Sequence, residues 1–424
     1  MKTGILLPAT DAENLMICLC KYFIKGMKDL KKLITEVIPE VTEYRKWLHR
    51  HPEPSHHEKA ASEYIAEALV NIGLEPVKSA SGYGISACID GRKPSGERQR
   101  CIALRADFDA LELTEKTGCD FASEKPGLMH ACGHDVHAAM LLGEAKVLNE
   151  LRDEFSGTVK LIFQPAEEDS LNSGAKEMIE AGVLEDPKVD AVLGQHVFPD
   201  VPVGKIWLDK HSASAASDRF RIEVRGKASH AGMAPERGID AIVIAGQIIG
   251  AIQTVVSRRL GADEKAVISI GIIKGGERYN IIADRVIMEG TCRTVSDSTR
   301  SKAERLLREI TAGIAAGSGG SAEVEYLRGL PSSLNDAELY ELVSSEAAAA
   351  LGKENVLDPG KTNMGGEDFA YYSRSVPSCF YFLGCSKDID NSPPLHSSSF
   401  LPDEECMPYG IEIMVRSALR FLND

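Results

Sequence analysis

Short apolar runs alternate along this chain with stretches whose apolar residues recur at three- and four-residue spacing, and no other feature limits its fold as tightly. The spacing predicts helices from Leu30 to Arg50 and from Glu58 to Asn71, the second closed by Gly73. Runs from Tyr83 to Asp90, Cys101 to Ala106, Gly157 to Phe163 and Val189 to Leu193 read as strands. Between them Val136, Ala139, Met140, Gly143, Val147 and Leu151 fall on one face of a further helix. Strands that alternate with helices in this way pair mostly in parallel under a cover of helices. The expected class is therefore α/β, a mixed and largely parallel sheet flanked by helices.

The rhythm changes near Lys210. Strand Arg219 to Val224, helix Ile239 to Ser257, strands Ala266 to Ile273 and Arg285 to Thr294, helix Ser301 to Ala316 and strand Ala322 to Leu327 follow one another. That β-α-β-β-α-β order is a ferredoxin-like α+β unit, complete in itself. A chain of 424 residues is longer than one core normally serves, so two domains are expected. One comprises residues 27–209 and 329–424, and residues 210–328 form the inserted unit. Residues 1–26 precede a second possible start at Met27 and read as a dispensable extension.

A net charge of -15 would repel a phosphate backbone, and no dense Lys/Arg cluster reverses it, which excludes nucleic acid as an expected partner. The apolar run Leu15 to Cys20 is too short to span a membrane and has the wrong flanks for a signal peptide. Ten cysteines without a Cys-x-x-Cys fit reduced thiols and a cytoplasmic location. Gly82-Tyr83-Gly84-Ile85-Ser86-Ala87 runs on into strand instead of opening a helix, so no dinucleotide site is expected.

The chemistry concentrates in Met129-His130-Ala131-Cys132-Gly133-His134-Asp135-Val136-His137, at the entry to a helix. Cys132 and His134, two apart, would project to one side of an extended segment and share a metal. Strand ends add Glu167, Glu168 and His196, and a late loop adds His396. Of the adjacent Glu167 and Glu168, one suits a ligand and the other a proton carrier. A thiolate, three imidazoles and a carboxylate favour zinc and also admit manganese, cobalt or nickel. Five ligands are too many for one open tetrahedral ion and about right for two divalent metal ions.

This nonapeptide, with Arg105-Ala106-Asp107-Phe108-Asp109-Ala110-Leu111 before it and Gln164-Pro165-Ala166-Glu167-Glu168 after it, closely resembles the M20 metallopeptidase family. The branch is that of hippurate hydrolases, N-acyl-amino-acid amidohydrolases and auxin-conjugate hydrolases. Further matches include Ala228-Ser229-His230-Ala231, Asn280, Gly290-Thr291 and Met364 to Phe369. The resemblance implies a two-metal site of Cys132, His134, Glu168, His196 and His396, with Glu167 as the catalytic carboxylate. It implies an inserted domain that serves as lid and dimerisation module. His230, Asn280 and Arg293 on that domain would meet substrate, His230 across a homodimer interface. The implied reaction is metal-dependent hydrolysis of N-acyl amino acids to a carboxylate and a free amino acid. A dipeptidase or carboxypeptidase acting on short peptides is the alternative within that class, and a metal-retaining binding protein without turnover the alternative outside it.

Overall fold

The computed structural model describes residues 29–80, 82–94, 99–360 and 363–424; the expected extension at residues 1–26 lies outside them. The chain opens with α1 (Leu30–Arg50), α2 (Lys59–Ile72), β1 (Val77–Lys78), β2 (Ile85–Asp90) and β3 (Cys101–Asp107). There follow α3 (His134–Glu150), β4 (Thr158–Gln164), α4 (Gly174–Glu180), β5 (Ala191–Pro202), β6 (Ile206–Trp207) and β7 (Ser212–Ser214). Then come β8 (Ala216–Arg225), α5 (Ala241–Thr254), β9 (Ala266–Gly275), β10 (Arg285–Thr294), α6 (Asp297–Gly317) and β11 (Ser321–Leu330). The chain closes with β12 (Ser333–Leu334), α7 (Ala337–Leu351), β13 (Val356–Leu357), α8 (Ala370–Ser375), β14 (Ser378–Ser386) and α9 (Met407–Asn423).

Eight strands form one mixed sheet in the order β1-β2-β4-β3-β5-β14-β6-β13. Its centre, β4-β3-β5-β14, is parallel throughout. These central strands are buried along nearly their whole length, as expected where helices cover both faces. On one face α1, α3 and α9 pack together through Val41, Leu48, Met140, Leu148 and Ile411, all fully buried. The α/β class expected from the alternation is the class observed.

The second sheet has the order β11-β8-β10-β9, antiparallel at every junction. With α5 and α6 on one face it has the ferredoxin-like connection order, and it encloses its own core around Ile222, Ile248, Met288 and Leu307. By length and composition Ala241–Arg259 could cross a membrane. In the fold its Ile244, Ile248 and Ile252 are buried in this second core.

Two local expectations are corrected. Val189 to Leu193 was expected to end just before His196, but β5 runs on to Pro202 because β14 pairs with it in parallel beyond that point. Cys132 and His134 were expected on extended chain. Gly133 instead adopts a left-handed conformation at φ 89° and forms the N-terminal cap of α3. A Cβ at Gly133 would lie 2.4 Å from Val197 Cγ2, so the tight entry of this turn requires glycine.

Candidate metal centre

The C-terminal ends of the central parallel strands bring the reactive side chains together, as open α/β sheets do. β3 delivers Asp107 and then Asp109; β4 leads into Glu167 and Glu168; β5 carries His196. The entry to α3 supplies Cys132 and His134. His396 arrives on the loop after β14, where its N–H donates to the Ala131 carbonyl at 2.8 Å. Ala166 and His396 both hold positive φ, 51° and 63°, so backbone strain falls on the two segments that present Glu167 and His396.

Cys132 Sγ lies 3.4 Å from His196 Nε2, and His396 Nε2 lies 3.3 Å from Glu168 Oε1. Potential ligand atoms of Cys132, His134 and His196 lie within 4.8 Å of one another, as do those of Cys132, Glu168 and His396. The structure thus gathers Cys132, His134, Glu167, Glu168, His196 and His396 in one place. Arg293 lines the same cavity, of about 530 Å³. His230 and Asn280 do not line it; they sit together on the second sheet's loops, joined by the Ala231 N–H to Asn280 carbonyl bond of 3.1 Å.

The imidazoles are oriented by partners on their far nitrogens. His134 Nδ1 meets Asp109 Oδ1 at 3.1 Å, while His134 Nε2 is buried with no hydrogen-bond partner. Burial opposes a charge on this ring, yet Asp107 and Asp109 pull its pKa up to about 10. A cation on Nε2 would satisfy the same field that favours the proton. His196 Nδ1–H donates to the Val197 carbonyl at 2.6 Å, and burial followed by the charge of His137 pushes its pKa well down. It is neutral, with the Nε2 lone pair turned toward Cys132. Burial, then the Glu168 and Glu167 carboxylates, push the Cys132 thiol well up. Burial and the carboxylates of Glu367 and Glu168 likewise push Glu167 well above the usual range. Buried carboxylates crowded around a thiol and orphaned imidazole nitrogens are a donor set suited to divalent cations.

Several further residues build the site through long-range bonds; in the sequence Glu58 had no role and the others no partners. Asp109 links two expected ligands, since its second carboxylate oxygen accepts the Glu168 N–H at 3.0 Å. Arg105, fully buried, pairs with Asp107 at 2.6 Å, Asp368 at 2.7 Å and Glu367 at 3.2 Å, so it neutralises a buried acidic cluster under Glu167. Glu58 accepts the Ala166 N–H at 2.8 Å and fixes the strained residue before Glu167. Burial and then Asp109 raise its pKa to about 7. Asp135 turns its carboxylate to Arg45 at 3.3 Å and His49 at 2.9 Å. His137 bridges Asp107 and Val197, and both ring nitrogens of buried His130 lack partners.

A family model described as Peptidase family M20/M25/M40 matches residues 103–420. An N-acetylcysteine deacetylase of Bacillus subtilis is 41% identical over 364 residues, covering 86% of this chain and 92% of the relative. Thermostable carboxypeptidase 1 of Saccharolobus solfataricus is 36% identical over 399 residues, 94% of this chain and 99% of its own length. The crystal structure of the Bacillus subtilis YXEP protein, described as a dinuclear metal binding peptidase from the M20 family, superposes with a TM-score of 0.80 at 36% identity, covering 92% of this chain and 99% of that one. The chain is a hydrolase and belongs to peptidase family M20/M25/M40.

Proposed function

We propose that this protein hydrolyses the amide bond of N-acyl amino acids, releasing a carboxylate and a free amino acid. The observation that carries the reading is the buried Glu167 carboxyl beside two overlapping ligand sets that share Cys132. Relatives named N-acetylcysteine deacetylase and N-acyl-L-amino acid amidohydrolase support the substrate class. Cys132, His134, Glu168, His196 and His396 would hold two divalent ions, with zinc, manganese, cobalt and nickel all compatible with the donors. When bound, such ions lower the pKa of a water and polarise a carbonyl.

The chain's own groups do the rest. Glu167 takes the proton of the attacking water and hands it to the leaving nitrogen. Asp109 keeps the His134 ring and the Glu168 backbone in register through its two oxygens. Arg293, half-buried in the cavity wall, offers a guanidinium to the amino acid's free carboxylate.

His230 and Asn280 stand outside the cavity of their own chain, and we assign them to the site of a partner in a homodimer formed through the second sheet. Exposed Ile242, Val243, Val267, Ile272, Ile273 and Tyr279, together with the open edge of β9, support that interface. A cytoplasmic location with reduced thiols remains part of the proposal.

A second reading, carboxypeptidase action on short peptides, is favoured by the similarity to thermostable carboxypeptidase 1 and by an Arg293 that would meet any free C-terminal carboxylate. Assay of N-acetyl and N-benzoyl amino acids against dipeptides, with and without chelator, tests both. Chelator-sensitive release of the free amino acid from the N-acyl compounds, with little action on dipeptides, is expected. Preferential dipeptide cleavage would establish the second reading, and turnover that survives complete metal removal would contradict both.

A further inference from the structure

The cavity wall opposite the metal ligands is the face of the second sheet that α5 and α6 leave uncovered. On β8, Asp218, Phe220 and Ile222 are buried, and the alternation turns Ser217 and Arg219 to the cavity. The register places Arg219 opposite Thr291 and Arg293 opposite Ser217. The two arginines are therefore diagonal neighbours on adjacent strands, a spacing of roughly 7–8 Å between backbones.

Neighbouring arginines of this sheet are treated differently. Arg221, Arg225 and Arg285 share the Glu223 carboxylate at 3.2, 2.6 and 3.0 Å. Arg300, on the helix-covered face, pairs with Asp218. Arg219 and Arg293 make no side-chain ion pair or hydrogen bond among the described residues. Burial lowers the Arg293 pKa, and the nearby Arg219 charge adds to that effect against the pull of Asp218. Two like charges held side by side without a carboxylate of the chain's own form a receptor for negative charge on what enters the cavity. One guanidinium accounts for the carboxylate that every N-acyl amino acid carries. The other is surplus to that need.

We infer that Arg219 is a specificity-determining residue that selects substrates bearing a second carboxylate, either on the amino-acid side chain or at the end of the acyl group. The inference rests on the proposed amide hydrolysis for its substrates, but concerns only which of them the cavity prefers. A fork of N–H donors facing a carboxylate at a partly solvated site is worth about tenfold in kcat/KM, chiefly through KM.

The test compares isosteric pairs. N-acetylglutamate against N-acetylglutamine reports the side-chain position, and N-succinylalanine against N-succinamoylalanine reports the acyl position. At least one pair should favour the dicarboxylate by about tenfold in kcat/KM, with the ratio falling toward one in Arg219→Gln and partly kept in Arg219→Lys. Ratios near one for both pairs in the unaltered protein, or a preference that Arg219→Gln leaves intact, overturn the inference. If none of the four compounds is hydrolysed, the amide-hydrolysis reading fails separately. Calorimetric titration of the same pairs then decides the role of Arg219. Tighter binding of a dicarboxylate that Arg219→Gln abolishes upholds it, and equal binding within both pairs overturns it.

Discussion

The backbone N–H of Val197 donates to Nε2 of His137 across 2.9 Å, and His137 Nδ1 in turn meets Asp107 Oδ1 at 2.6 Å. A neutral imidazole thereby ties the end of β3 to the residue following His196. Burial lowers the His137 pKa, which suits a ring that must accept at Nε2.

His137→Ala should therefore destabilise the fold by about 1–3 kcal/mol for each buried group it leaves unpaired. Urea unfolding of the two proteins measures this. It should also loosen metal retention, because the strand that carries His196 loses its fixing bond. Unchanged stability with unchanged metal content would remove His137 from this role.

A second relationship gives a pH dependence. His49 is buried between Asp135 at 2.9 Å and Glu115 at 3.2 Å. Burial works against its charge, but Asp135 and Glu115 overcome that and hold its pKa up to about 9. The unfolded value is about 6.5, so the folded state binds the proton more tightly. The stability this supplies is fully present below about pH 6.5 and is lost as pH rises through about 9, a contribution on the order of 3 kcal/mol. The unfolding midpoint should fall across that window, and the fall should be shallower in His49→Gln. Parallel pH profiles for the two proteins would contradict the assignment.

The proposed homodimer makes a prediction about mixtures. His230→Ala and Glu167→Gln protomers should each be nearly inactive alone. In a heterodimer one of the two sites combines an intact Glu167 with an intact His230 from the other chain, so purified heterodimers should recover about half of the unaltered activity, by counting sites. Confirmed heterodimers without recovered activity would place His230 in its own chain's site, and a His230→Ala protein that is active alone would place it outside the chemistry.

The limits of what the sequence discloses have particular physical causes. Helix Leu30–Arg50 and strand Arg285–Thr294 stand where their periodicity puts them, since each buries a face against a single core. β5 does not stop where its apolar run changes, because pairing with β14 extends it, and a partner 186 residues away in sequence leaves no local trace. Cys132, Glu167 and Glu168 were visible as reactive groups at strand ends and a helix entry along the alternation of strands and helices, and the structure gathers them. Glu58 was not, and Asp109 and Arg105 showed only as members of a strand-end motif, because their roles are made by bonds to residues 108, 59 and 263 positions away. A buried arginine flanked by alanine and leucine reads as a strand residue until its three carboxylate partners are assembled around it. The pairing of Arg219 with Arg293 is likewise a product of strand register, and neither residue announces it alone.

In the proposed reaction Glu167 moves the proton while its neighbours hold the metal, and Glu167→Gln separates the two roles. Metal content per chain and turnover of an N-acetyl amino acid are measured on the same purified sample. The expected result is an unchanged metal complement with turnover lowered by at least about a hundredfold, the usual scale for removing a general base. A variant that keeps its metal and remains active, or one that loses its metal along with its activity, would contradict it.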